Sequence, residues 1–406
     1  MIAPARALWL VLSHCSAQPV EQVALDEALG RVAGRAVRAD RDMPPADRST
    51  MDGYAVRAND LRSVPRELKM IGEVAAGSGA RPRVGPGECV RILTGANVPP
   101  GADAVAMVES TEEVSPKVIR FCAKVAPGEN ILCRGSVARR GQVVLDKGTR
   151  LHPQQIAVCA SVGADPVSVF ARPRVGVLCT GQELVSGSGR AARPAQRDSN
   201  GPALRAALLA TGLARCEVLG VVEDDPKALR RVLRAALRDC DALLTVGGVS
   251  AGKYDFVPRA LTELGCREVF HGVAMKPGKP TLFALGPKGQ LVFGLPGNPL
   301  SALTAFHEFV APALRKMSGM TAPPPTRFLV RLCKRAVSDC ADRTLFMPAQ
   351  LLFDPSDGAP TAIPIEMRGS ADVVAGGQCD GVVVLPEART YKAGSVVEFH
   401  LWSPMA

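Results

Sequence analysis

Two lysines on a stiff loop, Lys276-Pro277-Gly278-Lys279-Pro280, place a pair of ammonium groups where the flanking prolines limit their wandering. Such a pair can neutralise a phosphate or another oxyanion. Upstream, the apolar run Leu243-Leu244-Thr245-Val246 breaks into Gly247-Gly248-Val249-Ser250-Ala251-Gly252-Lys253-Tyr254-Asp255. That pattern reads as a buried strand feeding a tight loop, whose glycines let backbone N–H groups turn toward an anion. Downstream, Leu295-Pro296-Gly297-Asn298-Pro299 reads as a turn opening a helix from Leu300 to about Met317, and helix N-termini favour negative charge. Three ordinary surface loops would explain each device singly, but not all three on one α/β unit. Four acids, Asp52, Glu183, Asp224 and Asp255, sit at expected loops or strand ends. Such carboxylates suit Mg²⁺, which takes a few of them together with substrate phosphate oxygens and water. Asp224 has an equal reading as a helix cap. Thr94, in Thr94-Gly95-Ala96, puts a hydroxyl at a strand end. No Ser/His/Asp or Cys/His arrangement is visible among only five histidines, which argues against nucleophilic catalysis. Residue chemistry alone leads to a Mg-assisted reaction, or a binding event, on a phosphorylated anionic ligand.

The elements that must position these groups follow from periodicity. Val175-Gly176-Val177-Leu178-Cys179 is an apolar strand ending in Thr180-Gly181-Gln182-Glu183-Leu184. A Gly/Ser/Arg-rich loop leads to Asp198-Ser199-Asn200-Gly201-Pro202, with Pro202 expected at the first helical position and Leu204, Leu208 and Leu209 at helical spacing before Gly212. Glu217 to Val222 is the next strand. Asp224-Asp225-Pro226 then starts a helix with Leu229, Leu233 and Leu237 inward and Arg230, Arg231, Arg234 and Arg238 on a solvated face. Polar residues thus gather at strand C-terminal ends, where open α/β sheets bind ligands. Around this unit, residues from about 68 to 150 form short apolar runs cut by Gly and Pro, a β-rich pattern. After Met320, Thr321-Ala322-Pro323-Pro324-Pro325 marks a boundary, followed by short strands expected to make a small β-barrel or sandwich. Val20 to Leu29 reads as helical, as does Leu151 to Ala164.

With 406 residues, the chain is long enough for several domains, and 47% hydrophobic and 22% charged residues are ordinary for a folded soluble protein. Aromatics make up only 4%, which counts against base-stacking platforms. The net charge of +10 fits acidic partners, but the arginines are scattered and build no nucleic-acid tail. The twelve cysteines form no Cys-x-x-Cys pair, so buried reduced thiols such as Cys159, Cys179 and Cys240 in a cytoplasmic protein are expected. Arg6 followed by Ala7-Leu8-Trp9-Leu10-Val11-Leu12 is too short for a signal core and reads as an opening helix. No run of 18 apolar residues suggests a membrane span.

Six motifs occur in order: Met51-Asp52-Gly53-Tyr54-Ala55, Arg91-Ile92-Leu93-Thr94-Gly95, Thr180-Gly181-Gln182-Glu183-Leu184, Gly247-Gly248-Val249-Ser250, Lys276-Pro277-Gly278-Lys279-Pro280 and Gly294-Leu295-Pro296-Gly297-Asn298-Pro299. Together they resemble the molybdopterin molybdenumtransferase (MoeA–gephyrin) family across nearly the whole chain. The resemblance implies a multidomain α/β fold. It has a helical linking domain at 1–40 and 140–172, a β-rich inserted domain at 41–139, a doubly wound molybdopterin-binding domain at 173–320 and a C-terminal β-barrel at 321–406. The implied reaction takes adenylylated molybdopterin and molybdate, with Mg²⁺, to molybdenum cofactor and AMP in a cytoplasmic homodimer. Implied partners are the molybdopterin adenylyltransferase and recipient molybdoenzymes, with no nucleic acid and no membrane. On that carry-over, Asp52 and Thr94 of one subunit face Glu183, Asp224, Asp255 and Lys276 of the other as catalytic groups, and Asp52, Glu183 and Asp255 hold the metal. Ser250, Lys279, Pro296, Pro299, Asn200, Gly247 and Gly248 line the substrate, and Arg343 and Ser370 match barrel positions reaching the same cleft.

The chain departs from the family pattern in three places. Ser136-Val137 stand where acids often follow Arg134-Gly135, Gly272 stands where a basic residue often precedes the Lys-Pro-Gly loop, and Gly201 replaces a common arginine after Asn200. Losing one acid and two cations trims the charged lining. The alternative is therefore a weakened or specialised paralogue that binds or carries molybdopterin or the molybdenum cofactor. An adenylyltransferase would need only the α/β domain, and a gephyrin-like scaffold would call for a long linker.

Overall fold

The structure, a computed structural model, describes residues 1–79, 82–181, 184–185, 196–222, 225–249, 256–321, 326–353, 358–386 and 388–402. Helix α1, Pro4–Ser13, buries Ala7 and Val11 in the core of the α/β unit, as expected of an opening helix. The helix expected over Val20–Leu29 is not formed. Val20–Val23 pairs antiparallel with Val167–Phe170, and only one 3₁₀ turn, Leu25–Glu27, follows. β-Branched valines at both ends favour the pleated pairing, and a partner 140-odd residues away overrides the local apolar spacing.

A six-stranded sheet follows, built from β1 Gly53–Val56, β2 Arg66–Val74, β3 Glu88–Ile92, β4 Ala104–Met107, β5 Thr111–Ser115 and β6 Val118–Phe121. Its spatial order is β4-β1-β3-β2-β6-β5. Gly53 is required there, because a Cβ would stand 2.0 Å from the Ala106 carbonyl oxygen. Helix α2, Pro153–Ser161, falls within the expected helical stretch.

The α/β unit is a second six-stranded sheet: β7 Arg174–Thr180, β8 Arg215–Val222, β9 Ala242–Val246, β10 Arg267–His271, β11 Leu282–Leu285 and β12 Leu291–Leu295. Its order is β8-β7-β9-β12-β11-β10. The first four strands are parallel, and the β11–β10 edge runs antiparallel. Val175, Val177 and Cys179 of β7 face one core with α1, α3 (Asn200–Thr211) and the helix after Asn298, whereas Leu178 faces the other with α4 (Pro226–Asp239) and α5 (Phe256–Glu263). Strands covered on both faces explain the unbroken apolar runs. From β7 the chain steps to β8 on one side and then crosses back to β9 on the other. The strand order therefore reverses between β7 and β9, the place where such sheets open a ligand crevice.

Helix α3 begins two residues before Pro202, because Asp198 Oδ1 accepts the N–H groups of both Asn200 and Gly201 at 3.0 Å. In α4, Leu229, Leu233 and Leu237 are buried as expected, and the cap is Asp225, which accepts from Lys227 and Ala228 N–H. Pro299 opens α6 (Pro299–Ala305), which runs through a π turn, Phe306–Val310, into α7 (Ala311–Met317). β13 Arg327–Leu332, β14 Thr344–Leu352, β15 Thr361–Pro364, β16 Gly381–Leu385 and β17 Val396–Leu401 then close a five-stranded barrel: β14-β15-β13-β17-β16 and back to β14. The barrel is stitched to the α/β unit where Met275–Lys276 pairs parallel with Thr344–Leu345 of β14. Among the described residues no helix is long and apolar enough to cross a membrane.

Candidate active site

A cavity of about 670 Å³ opens at the β7/β9 reversal, within the range that holds a small-molecule ligand. Its floor is backbone. Gly247 and Gly248 have φ of +86° and +63°, and a Cβ on Gly247 would meet the Thr180 carbonyl oxygen at 2.6 Å. Only glycine permits both the turn and that approach. The Pro296-Gly297-Asn298 turn forms the adjacent wall. Asn200 at the head of α3 donates from Nδ2 to the Gly297 carbonyl at 2.7 Å, holding two loops together. The barrel supplies the facing wall, with Arg343, Met367, Gly369 and Ser370. Asn298 Nδ2 donates to Ser370 Oγ at 2.7 Å across the gap.

The cations come from the loop that joins the two units. Lys276 sits in the short strand beside β14, and Lys279 is exposed at the rim. Lys276 Nζ donates to Asp339 at 2.8 and 3.1 Å. That bond raises the lysine above its ordinary pKa and holds Asp339 below the usual carboxylate range. Cys179, near the C-terminal end of β7, is pushed up to about 12 by its burial, so it stays a neutral thiol. Cys159 and Cys240 are likewise buried free thiols.

The structure thus gathers Asn200, Gly247, Gly248, Lys276, Lys279, Pro296, Arg343 and Ser370 around one cavity, with Pro299 at the first turn of the adjoining helix. Asp52 and Thr94 lie apart, exposed on the β1–β6 sheet, and do not line that cavity within one chain. They are bonded to each other: Asp52 Oδ1 accepts Thr94 N–H and Thr94 Oγ1–H, both at 2.7 Å. The Thr94 amide, then its hydroxyl, hold Asp52 below its ordinary pKa, with Arg91 adding to this. Glu183, Asp224, Ser250 and Asp255 lie outside the described residues. Among the described residues no three His, Cys, Asp or Glu groups cluster as a metal site.

Sequence reading missed Asp339 and the Asn298–Ser370 bond. Asn298 was visible inside its Pro-Gly-Asn-Pro motif, whereas Asp339 carried no local signal. Of the three departures, Val137 is 61% exposed. Gly201 is enclosed, since a Cβ there would stand 2.4 Å from Asp198 Oδ2. Gly272 has φ +95° and donates to the Thr281 carbonyl.

Fold and cavity together define an α/β unit of the kind that binds small molecules, its crevice carrying Lys276, Lys279 and Arg343 and walled on one side by a barrel. Comparison with known proteins makes this particular. Residues 2–163 match the model of the MoeA N-terminal region (domain I and II), and residues 176–316 match a probable molybdopterin binding domain. The chain is 34% identical over 400 residues to the molybdopterin molybdenumtransferase of Staphylococcus aureus strain Mu50, covering 97% of this chain and 94% of that one. It is 33% identical to the Bacillus subtilis strain 168 protein of the same name, covering 93% and 89%. A crystal structure of a molybdopterin biosynthesis MoeA protein from Pyrococcus horikoshii superposes with a TM-score of 0.85 at 30% identity, covering 99% of this chain and 100% of that one. The chain belongs to the molybdopterin molybdenumtransferase (MoeA) family, a family of transferases of molybdenum cofactor biosynthesis.

Proposed function

We propose that this chain inserts molybdate into adenylylated molybdopterin, in a Mg²⁺-dependent reaction that yields molybdenum cofactor and AMP. The observation that carries the reading is the cavity at the β7/β9 reversal, where Lys276, Lys279 and Arg343 surround a glycine-built floor. A pterin phosphate ester and an oxyanion are both multiply negative, and this lining answers both. We further propose the division into a linking domain (1–40 and 140–172), a β-rich insertion (41–139), a molybdopterin-binding domain (173–320) and a barrel (321–406).

The working unit is a homodimer. Asp52 and Thr94 do not line the cavity of their own chain, so a second copy brings its β1–β6 sheet over the cleft. Asp52 suits one metal position: its Oδ1 takes both Thr94 bonds and leaves Oδ2 with no described donor. Glu183 and Asp255 are the proposed companions. Mg²⁺, when bound there, supplies charge neutralisation at the phosphates and water. The chain's own residues do the rest: Gly247 and Gly248 present amides, Lys276, Lys279 and Arg343 gather the oxyanion, and Asn200 holds the Gly297 turn in place. Cleaving a phosphoanhydride in such a site is positioning and charge stabilisation.

Purified protein given adenylylated molybdopterin and Mg²⁺ should release AMP only when molybdate is added, while light scattering reports a dimer mass. Asp52→Ala should lose roughly a hundredfold or more of that release, the scale of removing a group that acts on developing charge, and keep the dimer. Near wild-type release by the variant would sink the assignment of Asp52. Tight binding of the ester with no release in the wild type would favour the carrier reading instead.

A further inference from the structure

Two of the cavity cations are each paired with a carboxylate from one short segment of the barrel. Lys276 Nζ donates to both oxygens of Asp339, at 2.8 and 3.1 Å, and Arg343 Nε donates to Asp342 at 3.2 Å. The partners are unequal in exposure. The Lys276 and Arg343 side chains are 34% and 30% exposed, whereas those of Asp339 and Asp342 are 72% and 64% exposed. The cations belong to the cavity wall, since Lys276 is paired in register with Leu345 of β14. The acids reach them from the solvent side. A carboxylate is itself an oxyanion, and Asp339 grips Lys276 with both oxygens, as a bound tetrahedral anion would with two of its own.

We propose that Asp339, with Asp342 in a lesser role, is a built-in placeholder. It competes for the Lys276 ammonium, is exchanged for an oxygen of a doubly charged tetrahedral oxyanion on binding, and so sets the affinity of the site. This deepens the reading of the cavity as an oxyanion site and rests on it. An exposed ion pair is weak enough to be exchanged. An incoming dianion that also meets Arg343 and Lys279 gains contacts that a single tethered carboxylate cannot make. If Asp339 instead held Lys276 in a productive position, removing it would weaken binding. The sign of the effect therefore decides between a placeholder and a support.

The test titrates the full chain, wild type and D339N, D342N and K276M, with sodium molybdate and separately with AMP. Calorimetry at neutral pH and fixed ionic strength gives the affinities. D339N should bind roughly two- to fivefold more tightly, the range expected when an exposed competing pair is removed. D342N should shift the same way by less, because Asp342 meets its cation through one bond. A gain confined to molybdate assigns the Lys276 position to the free oxyanion, and a gain confined to AMP assigns it to an ester phosphate. Unchanged or weaker binding by D339N to both ligands overturns the placeholder. Wild-type affinity for both ligands in K276M overturns the cavity reading itself, whatever D339N does.

Discussion

The two walls of the cavity are made of different material. On the α/β side the surface is backbone: Gly247 sits so close to Thr180 that no side chain fits, and Gly297 is tied to Asn200. On the barrel side it is side chain: exposed Asp339 on half-buried Lys276, exposed Asp342 on half-buried Arg343, and Ser370 on Asn298. Backbone in a turn has one shape, whereas exposed ion pairs exchange partners readily. The difference divides the labour of the site, with the α/β unit fixing its shape and the barrel adjusting its charge. For that division to hold, the barrel must be docked firmly. Beside the Met275–Lys276 pairing with β14, part of the docking falls to the π turn in the helix after Pro299, where buried Glu308 accepts from Arg327 at 3.1 Å and pairs with His400 Nδ1 at 2.8 Å.

The sharpest way to break the contrast is to undock the barrel. Glu308→Ala takes the carboxylate away from Arg327 and from Nδ1 of buried His400, which keeps only Glu398 at 3.0 Å from its Nε2, and removing one member of a buried polar network in this way costs about 3 kcal/mol. Urea unfolding should show that loss, with the barrel side weakened most. A variant as stable as wild type would mean that the pairing does not dock the barrel. Next in size is the backbone wall. Gly247→Ala places a Cβ 2.6 Å from the Thr180 oxygen at φ +86°. It should cost about 2 kcal/mol of stability and weaken anion binding together. If Gly247→Ala leaves both unchanged, the backbone wall is not as rigid as its close approaches indicate.

The same contrast explains which features were legible before the fold was known. The apolar run at 243–246, its Gly-Gly turn and the Pro-Gly-Asn-Pro turn are local, so their residues name their own conformation. The barrel wall depends on registers set far away. Lys276 and Asp339 are 63 residues apart in sequence, Asn298 and Ser370 are 72 apart, and Glu308 and His400 are 92 apart. Nothing in Ser338-Asp339-Cys340 announces a lysine partner until β14 pairs with Met275–Lys276. Val20–Leu29 departs from its local pattern for a related reason. Its apolar spacing suits a helix turn, but Val167–Phe170 offers it a strand partner. Arg343 and Ser370 were located only through family resemblance, since neither carries a local pattern.

A predicted effect of similar size concerns the same π turn, and its sign follows from burial. His307, next to Glu308, stacks on Trp402 with ring centroids 4.9 Å apart and planes 5° off parallel. Burial, with Arg315 adding repulsion, pushes its pKa from 6.5 down to about 3. The folded protein therefore holds this imidazole neutral, while the unfolded chain protonates it below pH 6.5. Its contribution is fully present above that value and is lost progressively as pH falls toward 3, because the unfolded state then binds the extra proton. At about pH 5 the loss should be on the order of 2 kcal/mol relative to neutral pH. His307→Phe keeps a ring against Trp402 and removes the titration. Urea unfolding of both proteins at about pH 7 and about pH 5 should thus show a smaller acid penalty in the variant. Equal penalties would mean that the imidazole is solvated in the fold, and that this face of the barrel does not close on the π turn as tightly as the stacking geometry requires.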